Sequence, residues 1–529
     1  MRYYKNLEDF INVLDQEGLL VRIKRPIVKE TELVPLVRLQ YRGLPETQRK
    51  GFLFEKVVGV KGQEFNAQVA VGILASSAQI YALGMRCSTK EINNKWSEAQ
   101  LHPIEPVIVD SGPVYEEIHV GNDLEKLGLN ELPVPVSTPG FAGTLRTTTQ
   151  YITKDPESGA RNTGDYSGHL RSNTTLAFGV NPGQHAYLHW TKSKEKGVPL
   201  EAAIIIGSTP NIAYAAGVRL PYGVDELAVA GGIAGEPVEL VKCKTIGLEV
   251  PANAEYVIEG KVGIDYLEPT PAFGEHTGFM FKGERGDPIM TVTCIAHRKR
   301  PIYQHILSQM APSESSTMKR IGSTGVYHKY LKHDSNIPSI TDVAVYEMSG
   351  VRHFCVIQMK KTHPAQPKQA LHSLSGYDPR IGKVIIVVDD DIDPHDPQSV
   401  IWALSYRMQP HRDIEIITGK VPLLDPSAVP PGTPREEALF PPPSGTSALL
   451  IDATTKWPYP PVALPKKEFV DHALEIWKEE GLPELDLKTP WHGYDLGSWT
   501  KDDEENADFI ISGDYHRVGE KLAKKQTTI

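Results

Sequence analysis

Several stretches of the chain carry side chains able to do chemistry. In EPTPAFGEHTGFMF (268–281) a Glu-His pair sits between two glycines, among proline and aromatic residues. A carboxyl group in such a loop can have a raised pKa, which would make Glu275 a general acid; the alternative is a polar turn leading into a strand. In RNTGDYSGHLRSN (161–173) the Asn, Gly, Asp and Ser residues can turn the backbone so that several N–H groups face one point. Such a nest binds phosphate without a lysine; the alternative is a hairpin loop. In NPGQHAYLHW (181–190) the imidazole of His185 suits a first-row transition metal, with His189 as its i+4 neighbour on a helix. A structural or surface histidine is the plain alternative. In RLPYGVDELAVAGGI (219–233) Glu226 opens an apolar run, where an unpaired carboxylate is costly and calls for a cation. It also fits an ordinary acid at a helix N-terminus. VVDDDID (387–393) offers metal ligands, or solvated acids at the end of a buried strand.

These side chains need elements to bring them together. Residues 6–17 place Leu7, Phe10, Ile11 and Leu14 at helical spacing, and GLLVRI follows as a strand. GFLFEKVVGV and FNAQVAVGI read as further strands, so the first hundred or so residues form an α/β unit. From about 120 to 310, strand-like runs such as TTTQYITKD, NTTLAFGV, EAAIIIGS and AEYVIEGKV alternate with Gly, Pro and Asn turns. Short strands at regular spacing suggest a barrel. HFCVIQMK and GKVIIVVDDDID then suit buried parallel strands, and SVIWALSYRM reads as a helix. A Pro-rich loop follows at 420–446. The segment 466–480 is amphipathic, with Phe469, Ala473, Ile476 and Trp477 on one face, and can dock on another subunit.

The 529 residues are enough for roughly two to four domains. A net charge of −10, without a long basic run, argues against nucleic acid as a partner. Four scattered cysteines, Cys87, Cys243, Cys294 and Cys355, form no CxxC pair. They fit a reducing compartment better than a disulfide framework or a cysteine zinc site. Polar residues interrupt MRYYKNLEDFINVLDQEG every few positions, unlike a secretory leader. The longest apolar runs, about ten residues, are too short to span a bilayer. The expectation is a cytoplasmic enzyme or binding protein that contacts no membrane.

In order along the chain, GEPVELVKCKTIGLEVPANAEYVIEG, FGEHTGFM, VIIVVDDDID, IWALSYRMQPHRDIEII and LLIDATTKWP resemble the UbiD family of (de)carboxylases that use prenylated FMN. The resemblance covers roughly residues 5–490. It implies an α/β multidomain (α+β) fold: an N-terminal α/β domain (1–120), a central split β-barrel flavin-binding domain (121–315), a C-terminal α/β domain (316–465) and a C-terminal helix and tail (466–529) for oligomer contact. Homodimers or homohexamers are implied, as is a flavin prenyltransferase that supplies the cofactor. It also implies a Mn²⁺ or Fe²⁺ site at Asn162, His185 and Glu226, an N/O ligand set that suits either ion and leaves positive charge for the flavin phosphate. AAGV (215–218) matches a K⁺ site built mainly of backbone carbonyls. The cofactor is expected against Asn162, Gly164, Asp165, Tyr166 and Ser167, and against Gln184, His185 and Lys383.

The chain departs from the family pattern at two places. Well-studied members carry an Arg five residues after the metal-binding Asn, where Ser167 stands here, and a Glu five residues before Glu275, where Thr270 stands here. Serine offers one hydroxyl in place of a bidentate fork. Arg146, Arg161, Arg171 and Glu268 are nearby candidates to compensate. The implied activity is non-oxidative decarboxylation of an aromatic acid or its CoA thioester, with Glu275 as proton donor. The departures are similar to the phthaloyl-CoA decarboxylase branch, where remote binding energy can replace an arginine clamp. The alternatives are a hydroxybenzoate-type or other aryl-acid (de)carboxylase, a non-catalytic cofactor-carrying subunit of a carboxylase complex, or a metal hydrolase built on His185 and Glu226.

Overall fold

The computed structural model describes residues 2–378, 380–420, 424–430, 432–433, 446–485, 487 and 497–528, without the side chains of 282–285. The first helix, Leu7–Gln16, buries the four apolar residues that its spacing marks out, and the Asn6 side chain caps it by accepting from Asp9 N at 2.9 Å. A four-stranded sheet follows in the order Leu20–Ile23, Gly51–Phe54, Gln68–Val71, Ile302–His305. Its last strand comes from far down the chain and pairs parallel with Gln68–Val71.

The middle of the chain is a closed barrel. We number its strands β1 (Arg146–Lys154), β2 (Arg161–Leu170), β3 (Thr175–Gly179), β4 (Leu200–Ile206), β5 (Tyr256–Gly274) and β6 (Met280–His297). They run in the order β3-β2-β1-β4-β5-β6, all antiparallel, and β3 closes the ring by pairing with β6. Tyr151, Phe178, Ile204 and Ile258 fill the interior. The segment 161–170 is thus an extended strand, neither a nest nor a hairpin loop. Its glycines have no positive φ. They serve close packing: a Cβ on Gly164 would lie 2.8 Å from the Tyr166 ring, and one on Gly168 2.5 Å from Tyr151 Oη.

β5 and β6 are 19 and 18 residues long and continue beyond the ring as a two-stranded arm. At its tip Gly278, with φ +101°, lets Glu275 N donate to Phe279 O. Four helices line a space shared with the barrel residues: α1 (His185–Glu195), α2 (Pro210–Gly217), α3 (Glu226–Ala234) and α4 (Glu314–Lys329).

The C-terminal five-stranded sheet runs in the order Ile340–Val345, Phe354–Met359, Val384–Asp389, Ser447–Ala453, Ile414–Thr418, and its inner strands are parallel as their apolar runs suggest. Asp389 and Asp391 do not form a metal site: Arg407 donates to both, and Lys361 pairs with Asp389. Leu7, Trp96, Val343 and Ile385 belong to one core, so the N- and C-terminal units pack together. Most of the Pro-rich stretch at 420–446 lies outside the described residues. Helix Lys467–Glu479 forms as its periodicity suggests, yet it buries none of its residues in the single chain. Among the described residues no helix is long and apolar enough to cross a membrane.

Candidate active site

A cavity of about 390 Å³ opens where β2, the arm, the four helices and the C-terminal unit meet. It is lined by Asn162, Gly164, Asp165, Tyr166, Ser167, Gln184, His185, Glu226 and Glu275, residues drawn from four separate stretches of sequence. Lys383 is not among the lining residues. It is half exposed and pairs with Asp425 at 2.7 Å.

Around the start of β2, Asn162 Nδ2 donates to Tyr166 Oη at 3.2 Å, and the amide oxygen has no hydrogen bond among the described residues. Glu226 is the first residue of α3, whose cap is Asp225, so its place at a helix N-terminus was legible. It is also buried, as the apolar run around it suggests: the residue is 3% exposed, and Thr163 N donates to Oε2 at 2.8 Å. Among the described residues no Lys or Arg reaches it, and burial pushes its pKa up to about 8. His185 opens α1 with its ring edge-on to Tyr222. Burial, then Arg219 and Arg380, push it down to about 4, so it is a neutral imidazole with a free lone pair. A buried uncompensated carboxylate, a neutral imidazole and an unengaged amide oxygen form a donor set that fits a divalent cation. Among the described residues no group of three or more His, Cys, Asp or Glu could hold a metal; an amide is this set's third member.

Near the same mouth, Arg219, Arg352 and Arg380 converge on buried Asp378, at 3.6, 3.8 and 2.9 Å. One carboxylate between three guanidiniums leaves a positive wall suited to a phosphate. These arginines line the cavity, and Lys383 does not.

Toward the far end of β2, the strand register decides the chemistry. Thr148 stands opposite Ser167 and Arg146 opposite His169, on the same face of the sheet. An arginine therefore approaches this region from β1, on the face where β2 presents Ser167. Arg146 Nη2 donates to Glu275 Oε1 at 2.7 Å and Nη1 to Gly274 O at 2.8 Å, with the guanidinium over the Phe273 ring. Burial alone would raise the Glu275 pKa; Arg146, a hydrogen bond from His276 and the nearby Lys319 together hold it well below the ordinary carboxylate range. Of the other candidates, Arg171 pairs with Glu268 at 2.8 Å, and Arg161 with Asp225 and Glu249. Thr270 Oγ1 donates to Asp287 Oδ2 at 2.7 Å, which brings an acid to the cavity beside the position that lacks its Glu.

Two sequence profiles match the chain. The 3-octaprenyl-4-hydroxybenzoate carboxy-lyase Rift-related domain covers residues 107–310, and the carboxy-lyase C-terminal domain covers residues 324–453. The chain belongs to the UbiD family. It is a carboxy-lyase by that membership. An uncharacterized protein of Aquifex aeolicus is 33% identical over 506 residues, spanning 90% of this chain and 99% of its own length. Among solved structures, the UbiD-class enzyme HmfF of Pelotomaculum thermopropionicum, in an evolved dimeric form with prFMN, has a TM-score of 0.74 at 27% identity. The match covers 87% of this chain and 97% of HmfF. The vanillic acid decarboxylase of Sedimentibacter hydroxybenzoicus shares the fold, with a TM-score of 0.75 at 23% identity, over 97% of this chain and all of that one.

In this UbiD protein, sequence reasoning missed His169, Asp287, Lys319, Arg219, Arg352 and Arg380. His169 had a signal: it shares a strand face with Asp165 and Ser167 by the two-residue period, which is hidden when 161–173 is taken as a loop. The others come from distant segments, and nothing local marks them.

Proposed function

We propose that this protein is a prenylated-FMN-dependent, non-oxidative decarboxylase of an aromatic carboxylic acid, with Glu275 as the proton donor. The observation that carries this is one cavity with a cation-seeking donor set at one end of β2 and an arginine-held carboxylate at the other. Seven residues of strand, roughly 23 Å, separate Asn162 from His169 and leave room for an elongated cofactor and its substrate.

Asn162, His185 and Glu226 would hold Mn²⁺ or Fe²⁺, and the carbonyls of 215–218 would hold K⁺. Ala216, Gly217 and Val218 line the cavity. The flavin phosphate would rest against that metal and the Arg219, Arg352 and Arg380 wall, near Gln184. When bound, prenylated FMN supplies the electron sink for loss of CO₂. The protein positions and protonates. Arg146 keeps Glu275 ionised while the site is empty. A substrate carboxylate entering beside this pair competes for the guanidinium and places a second negative charge next to Glu275, which raises its pKa and lets it take up a proton. That proton replaces CO₂ on the ring carbon.

The thioester reading, phthaloyl-CoA-like, rests on Ser167 and Thr270 standing where the family pattern has an Arg and a Glu. Arg146 supplies a guanidinium beside Glu275, so free aromatic acids are the first substrates to screen, and CoA thioesters the second. Protein co-expressed with a flavin prenyltransferase supplies the test. Glu275→Gln should retain the flavin and lose turnover; full activity in this variant would remove the assignment.

A further inference from the structure

Lys319 of α4 lines the cavity, and among the described residues it makes no ion pair with a carboxylate. Arg146, Arg219, Arg352 and Arg380, the other cations of the lining, all do. Its hydrogen bond is to a neighbour of the proposed acid: Lys319 Nζ lies 3.4 Å from His276 Nδ1. The same ring nitrogen lies 3.1 Å from Glu275 Oε2. A ring nitrogen carries either one hydrogen or one lone pair. It can donate to Glu275 or accept from Lys319, but not both at once. The two contacts therefore correspond to two positions of one proton. His276 is buried. The charged groups facing the trio are Arg146 from β1, Asp165 from β2 and Arg352 from the C-terminal unit, and His169 also faces Glu275. Burial lowers the Lys319 pKa, and Glu275 and Asp165 oppose that shift.

We propose that Lys319 and His276 form a relay that delivers the proton to Glu275, an inference that rests on Glu275 being the proton donor. The Lys319 N–H bond breaks as a hydrogen is added to His276 Nδ1. That N–H bond then breaks as Glu275 Oε2 becomes O–H. Glu275 gives the hydrogen to the substrate carbon, and the neutral amine of Lys319 regains a proton from water through the cavity mouth. The competing role for a cation here is a static clamp on the substrate carboxylate.

The test combines spectroscopy without cofactor and kinetics with it. In the cofactor-free wild-type protein, labelled with ¹⁵N-histidine, the His276 Nδ1 resonance should fall between the protonated and unprotonated positions between about pH 6 and 9. A resonance fixed at either extreme overturns the relay without any variant. In the prenylated-FMN enzyme, Lys319→Met and Lys319→Arg should both lower kcat by about 100-fold with KM nearly unchanged. Arginine keeps the charge but does not give up a proton. A primary amine added to Lys319→Met should restore part of kcat. A clamp predicts the opposite pattern: a higher KM in Lys319→Met and near-normal activity in Lys319→Arg. If Glu275→Gln is inactive while Lys319→Arg is active, the relay alone falls. If Glu275→Gln is active, the assignment of the acid falls with it.

Discussion

Glu226 and Glu275 are both carboxylates lining one cavity, and their surroundings push them in opposite directions. Glu226 has no counter-ion among the described residues and is pushed up to about 8, whereas Glu275 is held ionised by Arg146. A bound divalent cation would satisfy the first. His185→Ala should therefore lose metal and flavin together, read as the metal and flavin content of purified protein; retention of both would break the donor set. The second depends on its arginine. Arg146→Ala takes the guanidinium from a largely buried carboxylate and leaves it only His276 and the nearby Lys319, which should cost about 2 kcal/mol of stability and most of kcat. Arg146→Lys keeps the charge but not the fork, and should recover stability better than activity. A denaturation curve and a turnover assay separate the two effects. Asn162, His185, Glu226 and Glu275 were legible as candidates from residue type and the family pattern, and all four line the cavity. The choice of Arg146 over Arg161 and Arg171 was not, because it depends on which strand stands opposite which. Lys319 and Asp287 gave no signal, since their neighbours are distant in sequence.

At the scale of elements, β2 decides the site. The barrel was legible from alternating strands and turns, but 161–173 does not read as one of its strands. Its glycines and polar residues have the composition of a turn, and composition does not reveal that Gly164 and Gly168 are small in order to fit Tyr166 and Tyr151. Gly179 on β3 has the same kind of role. It stands opposite Ser167, and a Cβ there would meet the Ser167 carbonyl oxygen at 2.7 Å. Because backbone is less able to yield than a side chain, Gly179→Ala should cost about 1–3 kcal/mol and lower the melting temperature. It should also weaken flavin binding, as both residues line the cavity. An unchanged melting temperature would mean that β3 can shift away from β2 without loss.

At the scale of the molecule, the cavity exists because three units meet, and their joints carry buried acids. Glu255 accepts from Ile302 N and Arg298, tying β5 to the last strand of the N-terminal sheet. Glu314 at the start of α4 accepts from Gly72 N, Leu74 N and Leu307 N. Burial pushes both up to about 7. The unfolded chain releases these protons near pH 4.3, roughly, so the folded state holds extra protons between there and about 7. Their contribution to stability is full at the acid end of that window and lost as the pH rises through about 7. Glu255→Gln should flatten the fall in melting temperature between about pH 5 and 8; an unchanged slope would contradict it. The return of the chain at 302–305 to the first sheet was not legible, because a four-residue strand carries no mark of its partner. The apolar face of Lys467–Glu479 was legible and is uncovered in the single chain, in keeping with a proposed oligomer contact. The most direct measurement is mass and absorption analysis of the small molecules released from protein co-expressed with a flavin prenyltransferase, taken on wild type, Glu275→Gln and His185→Ala together. The expected result is prenylated FMN with equimolar metal in the first two, decarboxylation of an aromatic acid by wild type alone, and neither flavin nor metal in the third. Wild-type protein that carries metal but no flavin would contradict it.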